Sequence, residues 1–549
     1  MRLGVLLLWA GAAMATVSEL SKKAVKPSFP TFDDHLFSVN GAAVRKAHPH
    51  FSLEKLHKPT HALYEKVGRA SVSELHELIF VIKSHNLGKL EELVHDISNP
   101  SSINYGDFLS HQELVELTSN LESAEHVQNY LLQIPGMESV HTTEHADYVV
   151  AKAPISVWED HLHCQFHVYE LKQEHKPSRL AEKPVHVLRS TEYYVETPLA
   201  GHVDFVFNTI HFPPPPSAEP VHSSIQPKVS AEDILLSGYV TPDLLVKTYG
   251  IDRNLGNNKV DQAVYATGSD TYFSPSDLTS FFNYFSLPPN DALQVGGTRG
   301  DDYMCSVNFE GCTEGNLDLQ YIMSTAPHVP TTFYYWPGPD FLLDMLIQVN
   351  NLTAPPEVLS ISYGTYEAYI SPSYAASFNV QAMKLAARGT TLVAASGDDG
   401  VAGQDARYDS MQCGYRPIFP ASSPYVLAVG GSMGPEKGGV EVACQGDKGG
   451  IITSGGGFSN LYPTPDYQQA AVTSYLTSTL SSPPQGGYNR GGRAYPDISA
   501  LAANYVIFLN QGLMSVSGTS ASAPLVAGML SLINAARSGV GKGTLGELL

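Results

Sequence analysis

The sequence predicts an α/β fold with a parallel sheet flanked by helices in the downstream part of the chain. Three apolar runs there have the length and composition of buried strands, namely Val358 to Ser362, Thr391 to Ala395 and Tyr425 to Val429. They alternate with helical patterns such as the one over Tyr374 to Arg388. This alternation favours a parallel sheet, because a parallel crossover needs a connection about as long as a helix.

The upstream part predicts a separate α+β domain. Helical patterns over Ser73 to Lys83 and His126 to Ile134 are mixed with extended runs such as Tyr148 to Ala151. A proline-rich stretch from Phe212 to Ser217 then predicts a linker. The chain therefore divides into a signal segment over 1–15, an upstream domain over 28–205, a linker over 206–236 and a downstream domain over 237–549.

The N-terminus has the pattern of a secretory signal peptide. Arg2 precedes an apolar run from Leu3 to Trp9, and small residues follow up to Ala13-Met14-Ala15. No later apolar run reaches 18 residues, so no membrane anchor is expected. We expect the chain to enter the secretory pathway and to reach either the outside of the cell or an acidic lysosomal or vacuolar lumen.

The charge balance excludes one class of function. The 549 residues include 33 Lys and Arg against 54 Asp and Glu, which gives a formal net charge of -21. Nucleic-acid binding requires a basic footprint, and the sequence contains no basic cluster. It also contains no phosphate-binding loop and no Cys/His spacing typical of a metal site.

Ser520 is the strongest candidate for a catalytic residue. It lies in Ser517-Gly518-Thr519-Ser520-Ala521-Ser522-Ala523-Pro524, just before an apolar helical run. A serine at a helix N-terminus has the positive end of the helix dipole beneath any negative charge that develops beside it. The alternative is that Gly-Thr-Ser only caps a core helix.

Histidine is not the expected base for Ser520. Twenty of the 21 histidines lie at or before His222, and only His328 belongs to the part that carries Ser520. A serine nucleophile near neutral pH normally uses a histidine. A carboxylate base is therefore predicted.

Glu314 and Asp318 are the best pair of carboxylates. Their i, i+4 spacing places both on one face of a helix predicted to begin at Thr313. Two such carboxylates repel each other unless one of them holds a proton, which suits work at acid pH. The alternative is a solvated acidic helix face.

Asp398 is the third acidic candidate. It follows the predicted strand Thr391 to Ala395 in Ser396-Gly397-Asp398-Asp399-Gly400. The carboxyl ends of parallel strands are where open α/β sheets place their chemistry. If protonated, Asp398 could donate to an oxyanion, whereas the alternative is an ordinary turn.

Taken in order, the Glu and Asp pair, the Ser-Gly-Asp segment and the final Ser-Gly-Thr-Ser-Ala-Ser-Ala-Pro segment resemble the sedolisin (serine-carboxyl) peptidases. Further segments support the resemblance: Leu359 to Gly364, Phe419 to Val426, Ser454 to Ser459 and Arg493 to Ala500. It implies a subtilisin-like catalytic domain that cuts peptides and proteins at acid pH. It also implies Ser520 as nucleophile, Glu314 as base, Asp318 as its partner and Asp398 as the acid that stabilises the oxyanion.

The resemblance also gives the upstream domain a role. In sedolisins such a domain is a removable propeptide that assists folding and blocks the active site, so the chain's own propeptide is expected to be its intramolecular inhibitor. Charging of the upstream histidines below a pH of about 6.5 could loosen it. The alternative is a set of solvated histidines that do not respond to pH in this way.

The resemblance further implies a calcium site downstream of the serine helix, but its ligands cannot be placed. No Asp occurs after Asp497, and 29 residues follow Ser520. Calcium needs about six to eight oxygen ligands. A second reading of the chain is therefore an inactive sedolisin-like binding protein or a truncated product.

Five cysteines in a secreted chain imply bridges and an odd thiol. Cys305 and Cys312 are spaced to close a short loop just before Glu314, which leaves Cys413 and Cys444 as the remaining downstream pair and Cys164 alone. Four cysteines allow three pairings, so other connectivities stay open. Asn351-Leu352-Thr353 is a candidate glycan site.

Overall fold

A computed structural model describes residues 51–55, 63–172, 186–213, 221–224, 238–267, 271–336, 342–408, 410–478 and 486–548. The predicted signal segment at 1–15 lies outside these residues, as does most of the predicted linker.

The upstream part is built on a four-stranded antiparallel sheet with the order β4-β5-β3-β9. The strands before residue 238 are β1 Phe51–Lys55, β2 Tyr64–Arg69, β3 Leu75–Ile82, β4 Ser139–Thr142, β5 Tyr148–Pro154, β6 His167–Leu171, β7 His186–Arg189, β8 Glu192–Glu196, β9 Val203–Phe207 and β10 Val221–Ser224. The helices are α1 Leu87–Ser98, α2 His111–Thr118, α3 Leu121–Leu132, α4 Ile155–Leu162 and α5 Thr197–Ala200.

The helix predicted over Ser73 to Lys83 is wrong, because this segment contains strand β3. Leu78, Phe80 and Ile82 are buried at alternate positions, and β3 pairs with β5 on one side and β9 on the other. A run rich in β-branched and aromatic residues suits such a central strand better than a helix. The other two upstream predictions are confirmed, since His126 to Leu132 belongs to α3 and Tyr148 to Ala151 to β5.

The downstream part contains the predicted parallel sheet, in the order β12-β13-β11-β14-β16-β18, with β22 also parallel to β18. Its strands are β11 Gln262–Thr267, β12 Ala292–Val295, β13 Thr331–Trp336, β14 Val358–Ile361, β15 Thr365–Tyr366, β16 Thr391–Ala395, β17 Ile418–Phe419, β18 Leu427–Met433, β19 Val442–Ala443, β20 Gly457–Pro463, β21 Gly492–Tyr495, β22 Ile498–Leu501, β23 Tyr505–Leu509 and β24 Gly512–Ser517. The helices are α6 Pro242–Tyr249, α7 Pro275–Tyr284, α8 Asp302–Val307, α9 Glu310–Thr325, α10 Leu343–Asn350, α11 Pro372–Ala387, α12 Asp405–Tyr408, α13 Gln469–Thr477 and α14 Thr519–Gly539.

Helices cover both faces of this sheet. Val358 packs in the apolar cluster that contains α9 and α14, whereas its neighbour Leu359 packs in the cluster that contains α10 and α11. Successive residues of a strand point to opposite faces, so the sheet separates two helical layers. This arrangement explains why the strands are continuous apolar runs.

The upstream part packs against the α10 and α11 layer. Leu90 and Val94 of α1 belong to the same buried cluster as that layer. Asp147 forms a buried ion pair with Lys384 of α11, with 2.5 Å between Oδ1 and Nζ. Strand β10 adds antiparallel to the edge of β24, the strand that leads towards Ser520.

Candidate active site

Ser520 is the second residue of α14. Strand β24 ends at Ser517, Gly518 donates its N–H to the carbonyl of Ala502, and the helix begins at Thr519. Ser520 is nearly buried, with 8% of its surface exposed. The strand, turn and helix therefore place the hydroxyl at the positive end of a 21-residue helix.

Pro524 lies inside the helix, in its second turn. Because proline has no N–H, it cannot donate to the carbonyl of Ser520 four residues earlier. The hydroxyl of Ser362, which follows β14, lies 3.5 Å from that carbonyl oxygen. Pro524 thus leaves the main chain of Ser520 open to a contact from the sheet.

Glu314 and Asp318 lie on α9, which packs along α14. Both are buried, with 8% and 1% of their surfaces exposed, so the solvated acidic face considered above does not occur. Burial and the neighbouring Glu314 raise the pKa of Asp318 well above its usual range, while a hydrogen bond from Ser362 opposes this shift. The pair therefore holds a proton in mildly acidic solution.

Ser362 joins the carboxylates to the serine helix. Its Oγ donates to Asp318 Oδ1 over 2.8 Å and is also near the carbonyl of Ser520. The structure thus brings Asp318 and Ser520 to one place at the end of β14, and Glu314 lies one helical turn before Asp318.

Helix α9 is anchored at its N-terminal end. The predicted Cys305–Cys312 disulfide joins α8 to the first turn of α9, and the helix begins at Glu310 rather than at Thr313. A Cβ on Gly315 would lie 2.4 Å from the carbonyl oxygen of Tyr272, so only glycine fits this close approach.

The predicted pairing of Cys413 with Cys444 is wrong in this structure. Cys413 is exposed and Cys444 is buried, and each has a free thiol. The Cys444 thiol lies 3.4 Å from the carbonyl of Ile452. Sequence spacing could not decide this pairing because it contains no information on which loops meet. Cys164 also has a free thiol, as expected.

Asp398 follows β16 and contacts the residue before Ser520. Its Oδ1 accepts hydrogen bonds from the N–H of Thr519 at 2.7 Å and from its hydroxyl at 2.9 Å. Burial raises the pKa of Asp398, and the bonds from Thr519 only partly oppose the shift. With Oδ1 engaged as an acceptor, Oδ2 is the oxygen that can carry a proton.

The glycine-rich segment after Ser454 supports the Asp398 loop. Gly455 donates its N–H to the carbonyl of Gly397 over 2.6 Å, and Thr453 donates to the carbonyl of Asp398 over 3.0 Å. A Cβ on Gly455 would lie 2.2 Å from the carbonyl oxygen of Ser396. Glycine is therefore required for the two segments to pack this closely.

His328 does not serve this site. It is exposed, and its Cβ lies near Gly256 and Leu532. Leu532 is 12 residues beyond Ser520 on α14, about 18 Å along a helix. Among the described residues, the titratable groups placed next to the start of α14 are the carboxyl groups of Asp318 and Asp398.

The comparisons with known proteins agree with this geometry. Residues 63–212 match the family model described as Pro-kumamolisin, activation domain, and residues 343–548 match the Subtilase family. Tripeptidyl-peptidase 1 of Macaca fascicularis is 35% identical over 503 residues, which cover 88% of this chain and 83% of that protein. The Homo sapiens tripeptidyl-peptidase 1 is 34% identical with the same coverage.

The chain belongs to the sedolisin family of serine-carboxyl peptidases. It is a serine-type peptidase with an N-terminal activation domain. A solved Pseudomonas sedolisin, complexed with two molecules of pseudo-iodotyrostatin, aligns with 56% of this chain and 83% of its own, at 22% identity and a TM-score of 0.43.

Two residues of this sedolisin site were not singled out from the sequence. Ser362 lies within the Leu359 to Gly364 segment, and Thr519 directly precedes Ser520. Each is a hydroxyl residue directly after a strand or at a helix start, which is the signal that could have found them.

The calcium site expected of a sedolisin cannot be assigned to a cluster of side chains among the described residues. No group of three or more His, Cys, Asp or Glu side chains there could hold a metal ion.

Within the described part of the chain, α14 has the length and apolar composition of a membrane span, and most of it is buried inside the fold. It is the core helix that carries Ser520.

Proposed function

We propose that this sedolisin-family chain hydrolyses peptide bonds at acid pH, with Ser520 as nucleophile, Glu314 as general base, Asp318 as its partner and Asp398 as the acid facing the oxyanion. The observation that carries the proposal is the bond from Ser362 to Asp318, beside the carbonyl of Ser520. Through Ser362, the carboxylate pair is held next to the helix that carries Ser520.

The reaction divides into two acyl transfers. The Oγ of Ser520 attacks the scissile carbonyl carbon while Glu314 takes its proton. The tetrahedral oxyanion accepts a hydrogen bond from the protonated Oδ2 of Asp398. When the tetrahedral intermediate collapses, the C–N bond breaks and the leaving amine takes the proton from Glu314. A water molecule then attacks the acyl-enzyme, with Glu314 again as base, and releases the acyl group.

Acid pH suits this set of groups. A base must be ionised and an oxyanion donor protonated at the same time. The raised pKa of buried Asp398 keeps it protonated to a higher pH than an exposed aspartate, and Glu314 shares a proton with Asp318. Activity should therefore rise as the pair loses its first proton and fall as Asp398 ionises.

The activation domain is proposed to inhibit the enzyme until it is removed by cleavage between about residues 195 and 236. The support is the match of residues 63–212 to an activation domain and the buried contact of that region with α11. The likeness to the tripeptidyl-peptidases supports a location in the secretory pathway or the lysosome. An acidic lumen would supply the working pH, and a glycan on Asn351 would be added on the same route.

The mode of cleavage is proposed to be release of tripeptides from free N-termini, as the names of the relatives suggest. Internal cleavage is the competing mode. Paired peptides with free and acetylated N-termini separate the two, because only internal cleavage tolerates the acetyl group.

The proposal is tested on the purified precursor by lowering the pH to about 4 and recording the intact mass. The wild type should lose its upstream part and then cleave added peptide, whereas Ser520→Ala and Glu314→Ala should stay whole and inactive with unchanged thermal unfolding. Retention of most of the rate in folded Glu314→Ala would remove Glu314 as the base. If the wild type itself cleaves no peptide, the inactive reading of the chain is correct.

A further inference from the structure

Two buried amide side chains on α9 take no part in the reaction proposed above. Asn316 and Gln320 have 2% and 0% of their surfaces exposed. Each stands two residues after one of the carboxylates, Glu314 and Asp318. Two residues correspond to about 200° around a helix. Helix α9 therefore carries the carboxylate pair on one side and the two amides on roughly the opposite side.

Both amides bind the main chain of Phe508 in β23. Asn316 Nδ2 and Gln320 Nε2 donate to its carbonyl oxygen over 2.9 and 2.8 Å, and the N–H of Phe508 donates to Gln320 Oε1 over 2.9 Å. Strand β23 lies at the edge of the sheet β10-β24-β23. The carboxamide of Gln320 therefore pairs with this edge as a peptide group of a further strand would.

Asp277 of α7 extends this network to the turn between β23 and β24. Its Oδ2 accepts hydrogen bonds from Asn316 Nδ2 over 3.2 Å and from the N–H of Asn510 over 2.8 Å, and its Oδ1 accepts one from the N–H of Gln511 over 2.8 Å. Asn510 and Gln511 form this two-residue turn, with φ values of 51° and 58°. Glutamine rarely adopts a positive φ, so Asp277 stabilises a turn that Gln511 does not favour. We call Asp277, Asn316 and Gln320 the α9 clamp.

The α9 clamp lies between the two elements that carry the reacting groups. On one side is α9 itself, with Glu314 and Asp318. On the other side is the hairpin, whose second strand β24 ends at Ser517, three residues before Ser520. A proton passes between a hydroxyl and its base over about 2.6–3.2 Å, and a displacement of about 1 Å can lower a rate about 100-fold. A small movement of α9 against the hairpin would therefore slow the reaction.

We propose that the α9 clamp holds the carboxylate pair at the distance from Ser520 that proton transfer requires, so that Asn316 and Gln320 are positioning residues of the reaction. The proposal rests on the peptidase function proposed above, because it takes Glu314 as the base. Neither amide touches the reacting atoms. The clamp acts through the position of α9 relative to the β23-β24 hairpin.

The test measures kcat and KM for a peptide substrate in variants of the full chain after acid activation. Gln320→Ala should lower kcat about tenfold or more, with KM within about twofold of the wild type, because it displaces the base and leaves the substrate contacts in place.

Gln320→Glu is the conservative variant. Its protonated carboxyl group can donate to the carbonyl of Phe508 and accept from the N–H, whereas the ionised group can only accept. Gln320→Glu should therefore keep most of kcat below a pH of about 4.5 and lose it more steeply than the wild type as the pH rises.

Gln262→Ala is the matched control. Gln262 is an equally buried amide that donates to the hydroxyl of Thr331, but it stands at the start of β11, whereas the site lies at the carboxyl ends of the strands. It should lower the midpoint of thermal unfolding as Gln320→Ala does and leave kcat unchanged.

An unchanged kcat in folded Gln320→Ala would overturn the positioning role while leaving the peptidase function intact. An equal loss of kcat in Gln262→Ala would also overturn it, because the effect would then follow from lower stability alone. If Gln320→Ala does not fold, Gln320→Glu decides, since a pH profile parallel to that of the wild type would overturn the role. A wild type that cleaves no peptide would overturn both proposals.

Discussion

The hydroxyl of Ser362 donates to Asp318 Oδ1 over 2.8 Å at the point where β14 ends between two helices. The Oγ of Ser362 also lies 3.5 Å from the carbonyl oxygen of Ser520. That carbonyl has no helical N–H donor, because the residue four positions later is Pro524. One side chain thus lies next to both the carboxylate pair and the main chain of Ser520.

Ser362→Ala should lower kcat about tenfold, because a hydrogen bond to a charged group contributes about 1.5–3 kcal/mol. That bond favours ionised Asp318, so its loss raises the pKa of Asp318 further. The acid limb of the pH profile of kcat/KM should therefore move to higher pH. Ser360→Ala is the control, since Ser360 is buried on β14 two residues before Ser362 and its hydroxyl has no hydrogen-bond partner. An unmoved acid limb in Ser362→Ala would contradict this role.

Comparison of Asp398→Asn with Asp398→Ala tests whether residue 398 acts as a hydrogen-bond donor to the oxyanion or through its charge. Asparagine can keep its oxygen towards the two donors of Thr519 and present its N–H₂ where Oδ2–H stands. We expect the Asn variant to be at least about tenfold more active than the Ala variant, which should lose about 100-fold or more. The alkaline limb of kcat should also disappear in Asp398→Asn, because its amide does not ionise. Equal rates for the two variants would show that Asp398 does not donate in the reaction.

Local patterns were sufficient for the elements that carry the site. The strand Thr391 to Ala395 and the helix over Tyr374 to Arg388 are present within two residues of their predicted bounds. Strand β18 is shifted towards Met433, because the Gly430-Gly431 segment continues the pairing with β22. Helical spacing also placed Glu314 and Asp318 on one face.

Other properties depend on contacts between distant segments, which no local pattern contains. The burial of Glu314 and Asp318 results from the packing of α9 on α14, and the role of Ser362 depends on the strand that ends between them. The misassigned strand β3 has the same cause. Its apolar residues face two neighbouring strands, and pairing on both sides overrides a weak helical pattern.

Gly455→Ala should damage the site without touching a reacting group. The added Cβ would lie 2.2 Å from the carbonyl oxygen of Ser396 and 2.7 Å from that of Gly397, so the Asp398 loop must move. We expect a loss of about 1–3 kcal/mol in the free energy of unfolding and a fall in kcat. Gly414→Ala is the control, because its Cβ would meet nothing within 4 Å. An unchanged free energy of unfolding in Gly455→Ala would contradict the predicted clash, because it would show that the Asp398 loop can move to make room for the Cβ.

Among the upstream histidines, His145 is the one that could release the activation domain on protonation. It is buried where the activation domain meets the peptidase domain. Its Nε2 lies 2.9 Å from the carbonyl oxygen of Asn350, and its ring packs edge-on against His111. Burial is the main cause that lowers the pKa of His145 to about 4. Asp147 and the hydrogen bond with the Asn350 carbonyl oppose the shift, whereas Lys384 and His111 add to it. Asp147 is therefore the strongest charged neighbour of His145, but burial outweighs it.

The sign of the pH effect follows from this lowered pKa. A histidine whose pKa is lower in the docked state than its ordinary value of 6.5 stabilises docking fully above pH 6.5, and this stabilisation is lost as the pH falls through about 4. His145→Gln keeps a donor for Asn350 but cannot take up a proton. It should lower the midpoint of acid-induced processing by about half a pH unit or more. Intact-mass spectrometry across a pH series measures this midpoint, with His141→Gln as the control because His141 is exposed on β4. A midpoint that stays the same in His145→Gln would mean that proton uptake elsewhere releases the activation domain.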